Sequence, residues 1–119
     1  MRALVIDDSR AVRKILRQFL EEEGYEVHEA ADGMEALAQV HEHGSFEIAL
    51  VDWNMPGLNG LEFVKAIRAM DKYRKTPIVM ITSEAAKYHV LEAVEAGVTD
   101  YVVKPIDGHK LWKKLSQYV

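Results

Sequence analysis

Strand-like segments recur along the chain at intervals typical of alternating strands and helices. They begin at residues 3, 25, 48, 78 and 101, which gives spacings of 22, 23, 30 and 23 residues. A strand together with its following helix and turns has this length, whereas the strands of a hairpin follow one another more closely. The spacing therefore predicts parallel strands joined by helical crossovers.

The composition of these segments predicts how each strand is covered. Four are continuous apolar runs, namely Ala3 to Ile6, Ile48 to Val51, Ile78 to Ile81 and Tyr101 to Val103. Such runs are typical of parallel strands that are covered on both faces. The segment from Tyr25 to Ala30 alternates apolar residues with Glu and His, so it predicts an edge strand with one wetter side.

Apolar residues between the strands repeat with the period of a helix. The first stripe consists of Val12, Ile15, Leu16, Phe19 and Leu20, and Gly24 follows it as a stop signal. The second helix is predicted from about residue 34 to 43. The inward positions predicted for the later helices are Leu37 and Val40, then Leu61, Val64 and Ile67, then Val90, Leu91 and Val94, and finally Leu111, Leu115 and Tyr118.

This alternation predicts an α/β fold, a doubly wound (βα)5 sheet of five parallel strands. The strand order 2-1-3-4-5 of flavodoxin-like proteins places the wetter second strand at an edge. Residues 1–119 are enough for one domain, and we expect a single domain without an output domain, because no linker interrupts the pattern. Ligands of such sheets bind at the carboxyl ends of the strands where the winding reverses, here between the first and third strands.

Composition excludes several classes of site and partner. The chain has no Cys, so it has neither disulfides nor thiolate metal ligands. Its net charge is −4 and its basic residues are scattered, which argues against nucleic acid or an anionic membrane as a partner. The apolar run at the start is too short for a signal peptide or a membrane span, so a cytoplasmic location is expected.

Three carboxylates are predicted to meet at the strand ends. Asp7 and Asp8 follow the first strand and Asp52 ends the third. Two carboxylates about 4 Å apart repel by roughly 4 kcal/mol at an effective dielectric of ~20, so three of them predict a bound cation. A few carboxylates with water suit Mg²⁺ better than a full Ca²⁺ cage.

The fourth and fifth strands deliver Thr82 and Lys104 to the same edge. A hydroxyl and an ammonium beside Mg²⁺ can bind phosphoryl oxygens, while a carboxylate can attack phosphorus. The set predicts phosphoryl transfer onto an aspartate. Each residue also has a plainer interpretation, because Asp8 or Ser9 could cap the first helix, Thr82 could cap the helix that follows it, and Lys104 could be a solvated loop residue.

At these positions the chain resembles the receiver domains of bacterial two-component response regulators, among them the stand-alone chemotaxis (CheY-like) type. The motifs that carry the resemblance are Ile6-Asp7-Asp8-Ser9, Asp52-Trp53-Asn54-Met55-Pro56 with Asn59-Gly60, Ile81-Thr82-Ser83, and Tyr101-Val102-Val103-Lys104-Pro105. Order 2-1-3-4-5 is known for that family, so the predicted topology is partly implied by the resemblance.

The resemblance implies a role for each matched residue. Asp52 would be the phosphorylated nucleophile, and Asp8, Asp52 and the main-chain carbonyl of Asn54 would contact Mg²⁺ directly. Asp7 would contribute to the metal site through water. Two further residues would bind the phosphoryl group, Thr82 by a hydrogen bond and Lys104 by charge. Tyr101 would turn inward as a switch, although plain core packing is an alternative for it, and Pro105 would follow a cis peptide bond.

Residues around this centre have implied roles in phosphate lifetime and output. Asn54 and Glu84 border the path of an attacking water and suggest a short-lived phosphate. Lys87, Tyr101 and Trp112 are proposed as a partner surface, with an edge-of-core position as the alternative for Trp112. No role follows for Trp53 beyond shielding the site or reporting on it by fluorescence.

The resulting hypothesis is a signalling protein that catalyses only its own phosphorylation and dephosphorylation. It would be a monomer that accepts phosphoryl from a histidine kinase or histidine phosphotransfer protein and acts on an unknown effector, in chemotaxis or as an intermediate in another phosphorelay. Three alternatives fit less well. They are a phosphoaspartyl hydrolase of the haloacid-dehalogenase type, a pseudo-receiver that only binds partners, and a flavodoxin-like flavin carrier.

Overall fold

Strands and helices alternate in the predicted order, and the computed structural model describes residues 1–53, 60–83 and 90–118. The strands are β1 (Arg2–Ile6), β2 (Glu26–Ala30), β3 (Ile48–Asp52), β4 (Ile78–Thr82) and β5 (Asp100–Val103). The helices are α1 (Arg10–Glu22), α2 (Gly33–His43), α3 (Gly60–Arg68), α4 (Val90–Ala96) and α5 (Gly108–Leu115), with a short 3-10 turn at Asp71–Tyr73. Each strand begins within one residue of its predicted start.

All strand pairs are parallel and the sheet has the order β2-β1-β3-β4-β5, which confirms the predicted topology. The winding reverses between β1 and β3, and β2 lies at an edge as predicted. Successive strand residues point to opposite faces of the sheet. Both faces carry apolar residues, and helices cover both. One face packs against α2, α3 and α4, and the other packs against α1 and α5.

Local sequence signals explain several helix starts. The hydroxyl of Ser9 accepts a hydrogen bond from the Val12 N–H and caps α1, one of the two capping residues considered for that helix. Asp32 and Asp107 cap α2 and α5 in the same way. The motif residues Met55, Pro56 and Asn59 lie outside the described residues.

Three residues predicted to face inward are exposed instead. Ile15 on α1 is 55% exposed, and Leu91 and Val94 on α4 are 71% and 53% exposed. The prediction for α4 was wrong because its buried contact is made by Ala93, a small residue that contributes little to an apolar periodicity. Periodicity measures where large apolar residues lie and not which side of a helix the neighbouring elements cover.

The fifth strand also differs from the prediction. Its residues are all half-buried, whereas those of β3 and β4 are all buried. An apolar run does not distinguish a central strand from the last strand of a sheet, which has a neighbour on one side only. Among the described helices, none combines the length and apolar character needed to cross a membrane.

Candidate functional site

The register of the sheet brings the predicted residues to one edge. Ile6 pairs with Val51, so Asp7 and Asp52 follow at the same level on adjacent strands. Asp52 itself pairs with Ile81, and Thr82 pairs with Val103, which places Lys104 one residue further along. Strand ends from β1, β3, β4 and β5 therefore converge, as expected for a doubly wound sheet.

The three predicted carboxylates form a compact cluster. Asp7, Asp8 and Asp52 each place one carboxylate oxygen so that these atoms all lie within 4.8 Å of one another. Asp7 and Asp52 are buried and Asp8 is exposed. Two acids of the cluster are thus buried and Asp8 faces solvent, so a ligand can reach the cluster from the side of Asp8.

The carboxylate of Asp7 has unfavourable surroundings for a negative charge. Burial raises the pKa of Asp7, and the nearby Asp8 adds to this effect. The Ser9 N–H, which donates to Oδ1 over 2.8 Å, and the charge of Lys104 lower the pKa without offsetting the rise. Oδ2 of Asp7 is buried and accepts no hydrogen bond. An ionised buried oxygen without a donor is costly, so this atom favours a cation at the cluster.

Lys104 supplies a positive charge to the cluster from β5. Its Nζ atom lies 3.6 Å from Oδ1 of Asp52 and 3.7 Å from Oδ2 of Asp7. These distances are compatible with charge attraction but are too long for direct hydrogen bonds. The ammonium is thus poised between two carboxylates and bound tightly to neither, so it is available to an incoming anion.

Thr82 completes the edge from β4. The residue is fully buried, and its hydroxyl donates a long 3.4 Å bond to the carbonyl of Ser83. Such a weak bond is easily exchanged for a better acceptor. The Lys104 N–H donates to the Thr82 carbonyl over 2.7 Å. This main-chain hydrogen bond holds the end of β4 against the residue that follows β5.

Tyr101 and Pro105 lie beside a groove between β5 and α5. The Lys104–Pro105 bond is cis, as the resemblance implied. Tyr101 is half-buried against the core formed with α2, α3 and α4. Lys114 donates to the Tyr101 carbonyl over 2.6 Å and its Nζ lies 4.8 Å from the centroid of the Tyr101 ring. With Lys110, these residues line a groove of about 540 Å³.

Trp112 lies on the other side of the sheet from Tyr101. It packs edge to face on Phe19 of α1, with ring centroids 6.4 Å apart, and belongs to the core under α1 and α5. The indole is half-buried. This contact supports the edge-of-core interpretation. Asn54, Glu84 and Lys87, which carry the remaining predicted roles, lie outside the described residues.

Two residues near the site escaped the sequence interpretation. No role was predicted for Arg13, yet its Nη1 donates to the main-chain carbonyl of Asp7 over 2.6 Å. Trp53 is 6% exposed and packs in the core beside Gly60. Arg13 lies one helical turn after the cap Ser9, and this position is the feature of the sequence that could have indicated its contact with Asp7. Nothing in the sequence predicts that the Trp53 ring is buried.

The chain matches the family model described as "Response regulator receiver domain" over residues 3–116. Chemotaxis protein CheY1 of Helicobacter pylori strain J99 is 42% identical over 116 residues, which are 97% of this chain and 94% of that protein. Chemotaxis protein CheY of Pseudomonas aeruginosa is 37% identical over 118 residues, which are 98% of this chain and 94% of the relative.

Solved structures agree with these sequence relationships. Chemotaxis protein CheY4 of Vibrio cholerae superposes with a TM-score of 0.91 at 39% identity, covering 99% of this chain and 98% of its own. The receiver domain of the sensor histidine kinase PA1611 of Pseudomonas aeruginosa has a TM-score of 0.87 at 27% identity, covering 98% and 95% of the two chains. That structure has a magnesium ion coordinated in its active site cleft.

Proposed function

Because the chain belongs to the response regulator receiver family, we propose that it is a phospho-acceptor protein in which Asp52 receives a phosphoryl group with the help of Mg²⁺. The observation that carries this proposal is the cluster of Asp7, Asp8 and Asp52 with Lys104 beside it. Chemotaxis proteins among its relatives favour a role in motility signalling over another phosphorelay. The matched family is also different from the hydrolase and the flavin carrier considered above.

The residues present fit a hard divalent cation. The three carboxylates offer only oxygen ligands, which suit Mg²⁺, and Oδ2 of Asp7 has no hydrogen bond to satisfy it. Asp8, Asp52 and the main-chain carbonyl of Asn54 would hold the ion directly, and Asp7 would act through water. When bound, Mg²⁺ would neutralise charge on the phosphoryl oxygens and on the carboxylates around them.

The chemistry at Asp52 is a transfer between two bonds to phosphorus. A carboxylate oxygen of Asp52 attacks the phosphorus of a phosphohistidine, a P–O bond forms and the P–N bond breaks. The electron pair of the broken bond stays on the imidazole nitrogen. Lys104 would hold one phosphoryl oxygen by charge, and the hydroxyl of Thr82 would exchange its weak bond to Ser83 for a bond to another.

The output would arise from a change at Tyr101. Its ring lies at the edge strand next to Lys114 and the groove between β5 and α5. When Thr82 engages the phosphoryl group, Tyr101 would turn inward and change the shape of this groove for an effector protein. Lys87 and Trp112 were proposed for the same surface. The packing of Trp112 on Phe19 predicts a smaller contribution from Trp112 than from Tyr101.

A direct test is phosphorylation by a small donor. The protein is incubated with Mg²⁺ and acetyl phosphate, and intact mass spectrometry is used to look for a labile adduct of one phosphoryl group. Asp52→Asn should form no adduct, and Asp8→Ala should form it slowly while losing the Mg²⁺-dependent rise in melting temperature. An adduct that persists in Asp52→Asn would overturn the choice of nucleophile. Wild-type protein that forms no adduct with Mg²⁺ and donor present would count against the function itself.

A further inference from the structure

Four charged side chains connect α1 with the edge strand β2. Arg13 Nε lies 3.1 Å from Oε1 of Glu29, and Arg17 Nη1 lies 2.7 Å from Oε2 of the same carboxylate. Arg17 Nε also lies 3.4 Å from Glu21. Two positive and two negative groups thus form a neutral network whose carboxylate Glu29 is shared by both arginines.

Only one of these arginines contacts the acidic cluster. Arg13 Nη1 donates over 2.6 Å to the main-chain carbonyl of Asp7, and the side chain of Arg13 is 15% exposed. Arg17 contacts carboxylates of the network, by a hydrogen bond to Glu29 and an ion pair with Glu21, and its side chain is 44% exposed. The two residues therefore share Glu29 but differ in their contact with Asp7.

The carbonyl that Arg13 holds belongs to the peptide between Asp7 and Asp8. This peptide is planar, so fixing its oxygen also fixes the N–H and the Cα of Asp8. The preceding N–H of Asp7 is held by the carbonyl of Ala30 on β2, over 3.1 Å. Arg13 thus fixes the next peptide unit along the chain, at the point where the exposed carboxylate of Asp8 must be aimed at the cluster.

Glu29 allows Arg13 to do this without adding net charge to a cation site. Burial raises the pKa of Glu29, but the hydrogen bonds from Arg17 and Arg13 outweigh it and hold the pKa below its usual value. Glu29 is therefore ionised and neutralises a guanidinium that would otherwise repel a divalent ion. It also holds the plane of that guanidinium through Nε, which aims Nη1 at the Asp7 carbonyl.

We propose that Arg13, held by Glu29, is a positioning residue that orients the Asp7–Asp8 peptide and so sets the affinity of the acidic cluster for Mg²⁺. The inference rests on the proposed function, because it assigns Mg²⁺ to that cluster. Groups that hold metal ligands in place commonly change metal affinity about ten- to a hundred-fold when they are removed. Arg13→Ala is accordingly expected to raise the Mg²⁺ dissociation constant by about ten-fold or more.

The experiment compares Arg13→Ala with the matched control Arg17→Ala. Both variants remove an arginine from Glu29, and only the first removes the bond to Asp7. Both variants and their parent carry Trp112→Phe, so that the tryptophan fluorescence comes from Trp53, which follows Asp52 in the chain. Mg²⁺ alone is titrated, and the change in fluorescence gives its dissociation constant. Arg17→Ala should bind Mg²⁺ within about two-fold of wild type, since exposed ion pairs contribute little.

A second readout separates positioning from general destabilisation. In metal-free protein, the backbone order parameter of the Asp8 N–H, measured by ¹⁵N relaxation, should fall in Arg13→Ala and stay unchanged in Arg17→Ala. Arg13→Lys keeps the charge and a donor but lacks the fork that reaches both acceptors, so it should recover part of the affinity. If Arg13→Ala fails to fold, Arg13→Lys and Glu29→Gln take its place, and both should bind Mg²⁺ more weakly than Arg17→Ala.

The outcomes distinguish this inference from the proposed function. A Trp112→Phe parent protein in which neither the Trp53 emission nor the melting temperature changes with Mg²⁺ would overturn the function and the positioning role together. A parent protein that responds to Mg²⁺, with an unchanged dissociation constant in Arg13→Ala, would overturn the positioning role alone. Equal losses in Arg13→Ala and Arg17→Ala would also overturn it, because the contact with Asp7 would then be irrelevant.

Discussion

The ammonium of Lys104 lies 3.6 Å from Oδ1 of Asp52, although β4 separates their two strands in the sheet. The lysine side chain therefore reaches across the end of β4 and over the buried Thr82. This arrangement places a positive charge where the proposed metal and the proposed phosphoryl group would meet. The two ligands differ in sign, so their responses to the loss of this charge should differ in direction.

Replacing Lys104 by Met should strengthen Mg²⁺ binding and slow phosphorylation. The lost ammonium no longer repels the cation, which should lower the Mg²⁺ dissociation constant by roughly two- to five-fold. The same change removes a group that holds the phosphoryl oxygens, so adduct formation should slow by about a hundred-fold. Fluorescence titration and mass spectrometry measure the two effects. Lys110→Met, on the groove side of α5, is the control and should change neither, whereas weaker Mg²⁺ binding in Lys104→Met would contradict the assignment.

Replacing Asp7 by Asn should stabilise the metal-free protein. Burial and the neighbouring Asp8 raise the pKa of Asp7, so its charge is disfavoured in the folded state. Asn retains the acceptor for the Ser9 N–H and removes the charge, which should increase the free energy of unfolding by about 1–3 kcal/mol. Urea denaturation in EDTA provides the measurement. Added Mg²⁺ should stabilise wild type more than the variant, and a less stable Asp7→Asn in EDTA would argue against a strained cluster.

Replacing Gly60 by Ala should destabilise the start of α3 and disturb Trp53. A Cβ at this position would lie 3.0 Å from Cε3 of Trp53 and 3.1 Å from the carbonyl oxygen of Asp52. A main-chain oxygen at the site cannot shift cheaply, so we expect a loss of about 1–3 kcal/mol and a changed Trp53 emission. Gly24→Ala is the control, because Gly24 has φ +89° with no atom within 4 Å of the added Cβ. It should cost about 1 kcal/mol through backbone strain and leave the emission unchanged.

The interaction of Asp100 with α5 should make stability depend on pH. Burial raises the pKa of Asp100, but hydrogen bonds from Tyr118, the Tyr101 N–H and Lys114 outweigh it, so the pKa lies below its ordinary value of 3.8. A depressed pKa stabilises the folded state above the unfolded value, and the contribution is lost as the pH falls through the folded value. Asp100→Asn should therefore cost about 1–2 kcal/mol at neutral pH.

Denaturation as a function of pH tests this assignment of Asp100. The difference in unfolding free energy between wild type and Asp100→Asn should shrink as the pH is lowered below 3.8, because the protonated acid then resembles the amide. Tyr118→Phe removes one of the donors, which lies 2.8 Å from Oδ2, and should reproduce part of the effect. A constant difference across this pH range would show that the charge of Asp100 is not responsible.

Much of the fold could be predicted because the responsible signals are local. The run Ile48 to Val51 predicts a strand covered on both faces, and the alternating segment from Tyr25 to Ala30 predicts an edge strand. Both predictions are confirmed. Leu91 and Val94 show the limit of the same reasoning, since both are exposed although they fall on an apolar stripe. A stripe identifies a helix, but its burial depends on which elements pack beside it.

Part of the candidate site could be predicted from the strand pattern, and part depends on how distant elements pack. Carboxyl ends of parallel strands must meet at one edge, so the convergence of Asp7, Asp52, Thr82 and Lys104 follows from the strand pattern once its order is known. The contact of Arg13 with the Asp7 carbonyl does not follow, because it depends on the angle at which α1 crosses β1 and β2. The burial of Trp53 likewise depends on the close approach of Gly60.

The sequence by itself determined the alternation of strands and helices and the acids at the strand ends, because hydrophobic period and turn residues act between near neighbours. Only the tertiary structure decided which charges are paired and which are left exposed to a ligand. Oδ2 of Asp7 lacks a hydrogen bond and Lys104 lies between two carboxylates because elements distant in the chain pack there. Distances of a few ångströms between such elements set the electrostatics of the site, and no local pattern encodes them.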